Sequence, residues 1–355
     1  MTRDAPPPDP ARNLVASSNH TTPDAPSHTA PGEPLVVFRD VHIGFDQGDV
    51  LKGISFEVAP GETKVLLGES GTGKTLVMKL AAGLIRPDSG HITVMGHDIA
   101  EMSEKELLDF RRQIGFVFQE GALFDSMTVA ENVSFRLREE NVEEDKIETR
   151  VREVLRFVEM EPAIQKFPAE LSGGMRRRVS IARALVDHPP MVFYDSPTAG
   201  LDPVTSQTII TLILRGRDLQ DVTSLLATHR VQDAFGLANY RFDKATGHVV
   251  PLSPNGTHSS SQVLRGADKN SAVPTASAAA LVAPRAPSPK QDAAPDFERR
   301  EAALLAAAES GQQRNARHLT KVLVLRDGKI YFLGRPDELL VSKDAYLKKF
   351  LISAE

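Results

Sequence analysis

The 355-residue chain has no cysteine, which excludes disulfides, thiolate metal sites and cysteine nucleophiles and is compatible with a reducing compartment. It has no basic excess. Its 42 Lys and Arg against 47 Asp and Glu give a formal net charge of −5, so no nucleic-acid partner is expected. No uninterrupted apolar run approaches the roughly 20 residues that span a bilayer, and the N-terminus carries no signal-peptide core. A soluble chain is expected, whose membrane role, if any, comes through a partner. Apolar residues are also scarce over 1–33, a Pro-, Ala-, Asp-, Ser- and Thr-rich stretch that reads as a disordered leader. A second Ser/Pro/Ala-rich tract over 244–318 reads as a disordered insertion, interrupted by a helical stretch over 297–310.

What remains, 34–243 and 319–355, carries the patterned sequence. Its most informative stretch is Gly68-Glu69-Ser70-Gly71-Thr72-Gly73-Lys74-Thr75, a complete G-x-x-x-x-G-K-[ST] loop. The β-branched run 63–67 precedes it, and apolar residues at helical spacing follow over 76–84. Glycines let the backbone N–H groups turn toward a nucleotide's phosphates, and the helix adds the positive end of its dipole. Lys74 is expected to contact the β- and γ-phosphates and the Thr75 hydroxyl to ligate Mg²⁺, so a nucleotide carrying those phosphates and Mg²⁺ are expected.

Elsewhere strands alternate with helices, an α/β plan. Strand-like runs cover 35–41 and 51–58, and Phe45 between them is either an aromatic that stacks on an adenine or a core residue. Ser103 and Glu106 have the spacing of a capping box. The buried strand 114–118 ends at Gln119, at the carboxyl edge of the sheet where ligands gather. Helices are expected over 128–140 and 144–159, forming with their surroundings a helical subdomain over about 120–175. Ser172, Gly173 and Gly174 open a further helix to about Val186, another anion-binding geometry. The apolar strand 191–195 ends in Asp195, whose carboxylate is placed to hold Mg²⁺. Asp202-Pro203 starts a helix, strand 222–227 ends at Thr228-His229, and Asp327-Gly328 reads as the hairpin turn between strands 321–325 and 330–333.

In this order and spacing, these segments resemble an ATP-binding subunit of an ABC transporter. The run 118–129 and the Leu171–Met175 run with its arginines are most similar to the ATPases of Mla/MCE-type lipid transporters. The resemblance implies a P-loop NTPase fold of the ABC ATPase type, with an N-terminal antiparallel β subdomain and an inserted helical subdomain. It also implies a head-to-tail homodimer, or a heterodimer with another ABC ATPase subunit. There, ATP on residues 68–75 of one subunit is capped by Ser172, Gly173 and Gly174 of the other. Gln119 would join the metal site to the helical subdomain, His229 would contact the γ-phosphate, and Asp202 would communicate across the dimer. The implied partners are an integral membrane permease and an MCE-type lipid-binding protein. The implied location is the cytoplasmic face of a bacterial inner membrane.

One residue departs from the family pattern. Where a glutamate usually follows the strand-ending Asp, this chain has Ser196. A serine hydroxyl is neither charged nor a useful base at neutral pH, and general-base assistance is typically worth about 10² to 10⁴ in rate. Two readings follow. In one, ATP is hydrolysed at a reduced rate with Lys74, Gln119, His229 and Ser196 in the catalytic positions. In the other, ATP acts as a dimerisation switch with little hydrolysis. Glu120 and Glu170 lie near in sequence, but sequence alone gives neither a geometric warrant as a substitute base.

Overall fold

The computed structural model describes residues 33–46, 48–252 and 320–352. All of the expected leader except Glu33, and the expected helix 297–310, lie outside the described residues. Val36–Phe45 (β1) and Gly48–Val58 (β2) pair antiparallel, and β1 pairs on its other side with Ser89–Val94 (β4), which carries His97–Asp98 (β5) at the edge. This four-stranded sheet is the expected antiparallel subdomain.

The second sheet has six strands. Thr63–Leu67 (β3) lies between Thr320–Arg326 (β11) and Thr223–Thr228 (β8), followed outward by Met191–Asp195 (β7) and Ile114–Val117 (β6), all parallel. Lys329–Gly334 (β12) adds an antiparallel edge through the two-residue turn Asp327-Gly328, both at positive φ (53° and 79°), as a tight hairpin requires. The inner strands are continuous apolar runs because both faces are covered. Val65, Leu67, Val192 and Tyr194 point into a core shared with the helices. Leu66, Met191, Phe193 and Leu225 point into one shared with the antiparallel sheet.

Lys74–Ala81 (α1) and Glu104–Arg111 (α2) pack on the antiparallel side, and Val129–Glu139 (α3), Glu144–Phe157 (α4), Gly173–Leu185 (α5), Pro203–Gln220 (α6) and Val231–Asn239 (α7) on the other. The capping box at Ser103 forms, with Ser103 N donating to Glu106 at 2.7 Å and Glu106 N to Ser103 Oγ at 3.4 Å. Thr128 and Glu131 repeat it at the start of α3.

Two expectations need correction. β1 runs on through Phe45, which is the last residue of a strand and not part of a loop. The break expected at 243 comes later, because Tyr240–Asp243 (β9) and His248–Pro251 (β10) form a hairpin. The sequence gives this hairpin little periodicity. Its anchors are tertiary: Arg217, fully buried, donates to Tyr240 O at 3.1 Å, and Phe242 N donates to Asp218 at 2.7 Å.

Candidate functional site

The sheet brings the loop after β3 and the end of β7 to the same carboxyl edge, with only β8 between the strands. Gly73, the N-cap of α1, has φ of 95°, and a Cβ there would lie 2.8 Å from Leu51 Cδ2. Only glycine meets both conditions. Gly68 is similarly confined, since a Cβ would lie 2.8 Å from the Leu325 carbonyl oxygen. The first turn of α1 has no acidic residue, so its positive end is left for an external anion.

Lys74 folds back over the loop. Its Nζ donates to Gly68 O at 2.9 Å and Glu69 O at 2.6 Å, and it lies 3.5 Å from Thr72 Oγ1. Among the described residues no carboxylate forms an ion pair with it. Burial pushes its pKa down, and the charges of Asp195 and Glu69 only partly restore it. The result is a desolvated ammonium held by carbonyls, a poor match for itself and a good one for phosphate oxygens. Thr75 Oγ1 donates to the buried Asp195 carboxylate at 3.0 and 3.2 Å. Ser196 Oγ lies 3.4 Å from Asp195 Oδ1, its N–H donates to Ala227 O at 2.8 Å, and its φ is 48°. Glu170 is engaged elsewhere, accepting from Phe167 N at 2.7 Å.

Phe45 is 56 % exposed, which removes the core reading. It lines a cleft of about 570 Å³ together with Val50, Ser70, Gly71 and Thr72. Gln119, Ser172, Gly173, Asp202 and His229 are exposed. Ser172 and Asp202 cap α5 and α6, accepting from Met175 N at 3.3 Å and Thr205 N at 3.0 Å. The two helix starts touch, since a Cβ on Gly173 would lie 3.7 Å from Leu201 Cδ2 and one on Gly174 would clash with Thr205 Cγ2. The residues therefore fall into two groups. Gly68–Thr75 join Asp195 and Ser196, while Ser172–Gly174 lie beside Asp202 on an open face.

Sequence reading missed the residues that hold the loop after Gln119. Arg177 Nη1 donates to Phe118 O at 2.6 Å, and Arg183 donates to Ala122 O at 2.8 Å and Gly121 O at 2.9 Å. Burial pushes the pKa of both guanidiniums down, and for Arg177 the charges of Glu120 and Asp195 oppose this. Buried Asn132 accepts from Phe124 N at 2.8 Å and donates to the carbonyls of Phe124, Met127 and Thr128, each at 3.0 Å. The available signal was the arginine run after Gly174, but nothing in it names carbonyls some sixty positions away.

The family model for the ABC transporter matches residues 51–199. The chain is 42% identical over 211 residues to the probable ribonucleotide transport ATP-binding protein mkl of Mycobacterium leprae, covering 59% of this chain and 61% of that one. It is 34% identical over 212 residues to the intermembrane phospholipid transport system ATP-binding protein MlaF of Haemophilus influenzae, covering 59% of this chain and 80% of the relative. Among solved structures, the ATP-binding cassette MJ0796, a dimer in a post-hydrolysis state bound to ADP and Pi, aligns with a TM-score of 0.53 at 30% identity, covering 57% of this chain and 91% of that one. With this fold, this loop and these relatives, the chain belongs to the ABC transporter family of ATP-binding proteins.

Proposed function

We propose that the chain is the ATP-binding subunit of a transporter that moves lipid through a membrane permease, binding Mg²⁺–ATP and hydrolysing it slowly. The observation that carries this reading is the joint placement of a desolvated Lys74 ammonium and the Thr75–Asp195 pair at one sheet edge. ATP would sit with its phosphates on Gly68, Glu69, Ser70, Gly71, Thr72, Gly73 and Lys74 and its base against Phe45. Among the described residues no three acidic or histidine side chains cluster to hold a metal unaided. Mg²⁺ would therefore arrive with the phosphates and be held by Thr75, Asp195 and Gln119. His229 would meet the γ-phosphate, and Ser172, Gly173 and Gly174 would cap a second subunit's ATP, with Asp202 beside them.

The lipid assignment rests on the run 118–129 and on the name of the phospholipid-transport relative; the mycobacterial relative is named for ribonucleotides. No described helix is long and apolar enough to cross a membrane, so contact with the permease falls to the surface. Phe124 and Phe135 offer a seat for it, two exposed rings with centroids 4.8 Å apart on the helical subdomain. On this reading the subunit lies at the cytoplasmic face of a bacterial inner membrane, beside an MCE-type partner.

Purified chain with its permease should release phosphate from ATP, and Lys74→Ala should not. If wild type and variant are equally silent while wild type alone retains ATP, the second reading holds. Ser196 favours that reading: an ATP-dependent dimerisation switch that opens by nucleotide exchange, or that leaves hydrolysis to an intact partner subunit.

A further inference from the structure

Behind the exposed His229 lies a polar cluster that neither the motifs nor the comparisons assign. Asp233, on α7, is 2 % exposed. Its Oδ2 accepts from Thr198 Oγ1 at 2.6 Å and from Thr228 Oγ1 at 2.8 Å, and its Oδ1 is 3.8 Å from Arg230 Nε. The Thr228 hydroxyl oxygen in turn accepts from Arg230 N at 3.0 Å. Arg230 Nη1 donates to Ser206 Oγ at 2.9 Å and to Thr198 O at 3.4 Å. The Asp233 carboxylate and the Arg230 guanidinium together gather four pieces of chain: the loop after Ser196, the end of β8, the start of α6 after Asp202, and the first turn of α7.

Both sequence neighbours of His229 belong to this cluster, whereas no hydrogen bond among the described residues restrains its own ring. An imidazole that must reach a ligand needs a free ring on a fixed backbone. Burying a carboxylate on a short helix has a desolvation cost, expressed in the raised pKa of Asp233, which its hydroxyl and charged neighbours offset only in part. Thr198 and Thr228 are themselves buried, so both hydrogen bonds of the carboxylate run to site-bearing segments.

We infer that Asp233 is a positioning residue: through Thr228, Arg230 and Thr198 it fixes the backbone of His229 against the loop that carries Ser196 and Asp202, so that the imidazole meets the terminal phosphate of a bound nucleoside triphosphate. The inference rests on the ATP-site reading above.

The test is the affinity of the full chain, with Mg²⁺, for ADP and for the non-hydrolysable β,γ-imido analogue of ATP, in wild type, Asp233→Asn, His229→Ala and the double variant. Wild type should prefer the triphosphate. His229→Ala and Asp233→Asn should each reduce that preference about tenfold, as expected for a lost charge-assisted hydrogen bond, with ADP affinity unchanged. The double variant should lose no more than His229→Ala alone, because both substitutions remove one contact. Losses that multiply, an unchanged preference in Asp233→Asn, or equal loss of ADP and triphosphate affinity would each overturn the inference. Should Asp233→Asn fail to fold, Thr228→Val removes the link nearest to His229 and carries the same expectation. Wild type that binds neither nucleotide would overturn the ATP-site reading itself, and wild type that binds both equally would overturn only the role given to His229.

Discussion

The phosphate cradle and the open face around it are built on opposite terms. In the cradle Lys74, Thr75 and Ser196 already have partners within the chain: Lys74 on the Gly68 and Glu69 carbonyls, Thr75 on Asp195, the Ser196 hydroxyl 3.4 Å from Asp195. On the open face Ser172, Gly173 and Asp202 are exposed, whereas Gln119 and His229, just past β6 and β8, are exposed at the sheet edge that also carries the cradle, with tight interactions one layer behind them in Arg177, Arg183, Asn132 and Asp233. On the function proposed above, the cradle takes the nucleotide. The open face instead presents two exposed helix starts whose side chains, Ser172 and Asp202, cap their own helices.

Substitutions can break this contrast from either side. The largest effect is expected at Lys74→Ala, where ATP affinity should fall about a hundredfold, or ~3 kcal/mol, from the loss of charge-assisted bonds to phosphate. A fluorescent ATP analogue would measure it, with circular dichroism reporting an unchanged fold. Wild-type affinity should also decline as rising pH removes the Lys74 proton. Burial has lowered that pKa, so the decline should begin below the ordinary lysine range. Next comes Asn132→Ala, which strands Phe124 N and several carbonyls and should cost about 2 to 3 kcal/mol in denaturant unfolding. It should weaken permease association more than ATP binding. Gly174→Ala places a methyl against Thr205 and should cost about 1 to 3 kcal/mol by overpacking the α5 and α6 starts, read as a lower melting temperature. Ser103→Ala belongs to neither region. Losing its cap should cost about 1 kcal/mol and leave nucleotide affinity unchanged.

The legible and illegible parts of the sequence divide along the same line. Residues 68–75, the strands before them and at 191–195, the capping box at Ser103 and the Asp327-Gly328 turn are local: their chemistry is complete within a few consecutive residues, so spacing reveals it. Phe45 was open between two roles until its exposure and its place in the cleft removed one. Arg177 to Phe118, Arg183 to Gly121 and Thr198 to Asp233 join residues 59, 62 and 35 positions apart. No periodicity encodes such partners. The β9–β10 hairpin was missed for the same reason, since its anchors, Arg217 and Asp218, sit on α6.

The central claim is that this chain keeps the machinery for holding ATP and lacks the side chain that cuts it quickly. The direct measurement is ATP affinity and phosphate release, side by side, for wild type and Ser196→Glu in complex with the permease. The expected result is an affinity unchanged within about threefold and a turnover raised by about 10² to 10⁴. Equal turnover in the two proteins would contradict the claim and place the limit on hydrolysis elsewhere.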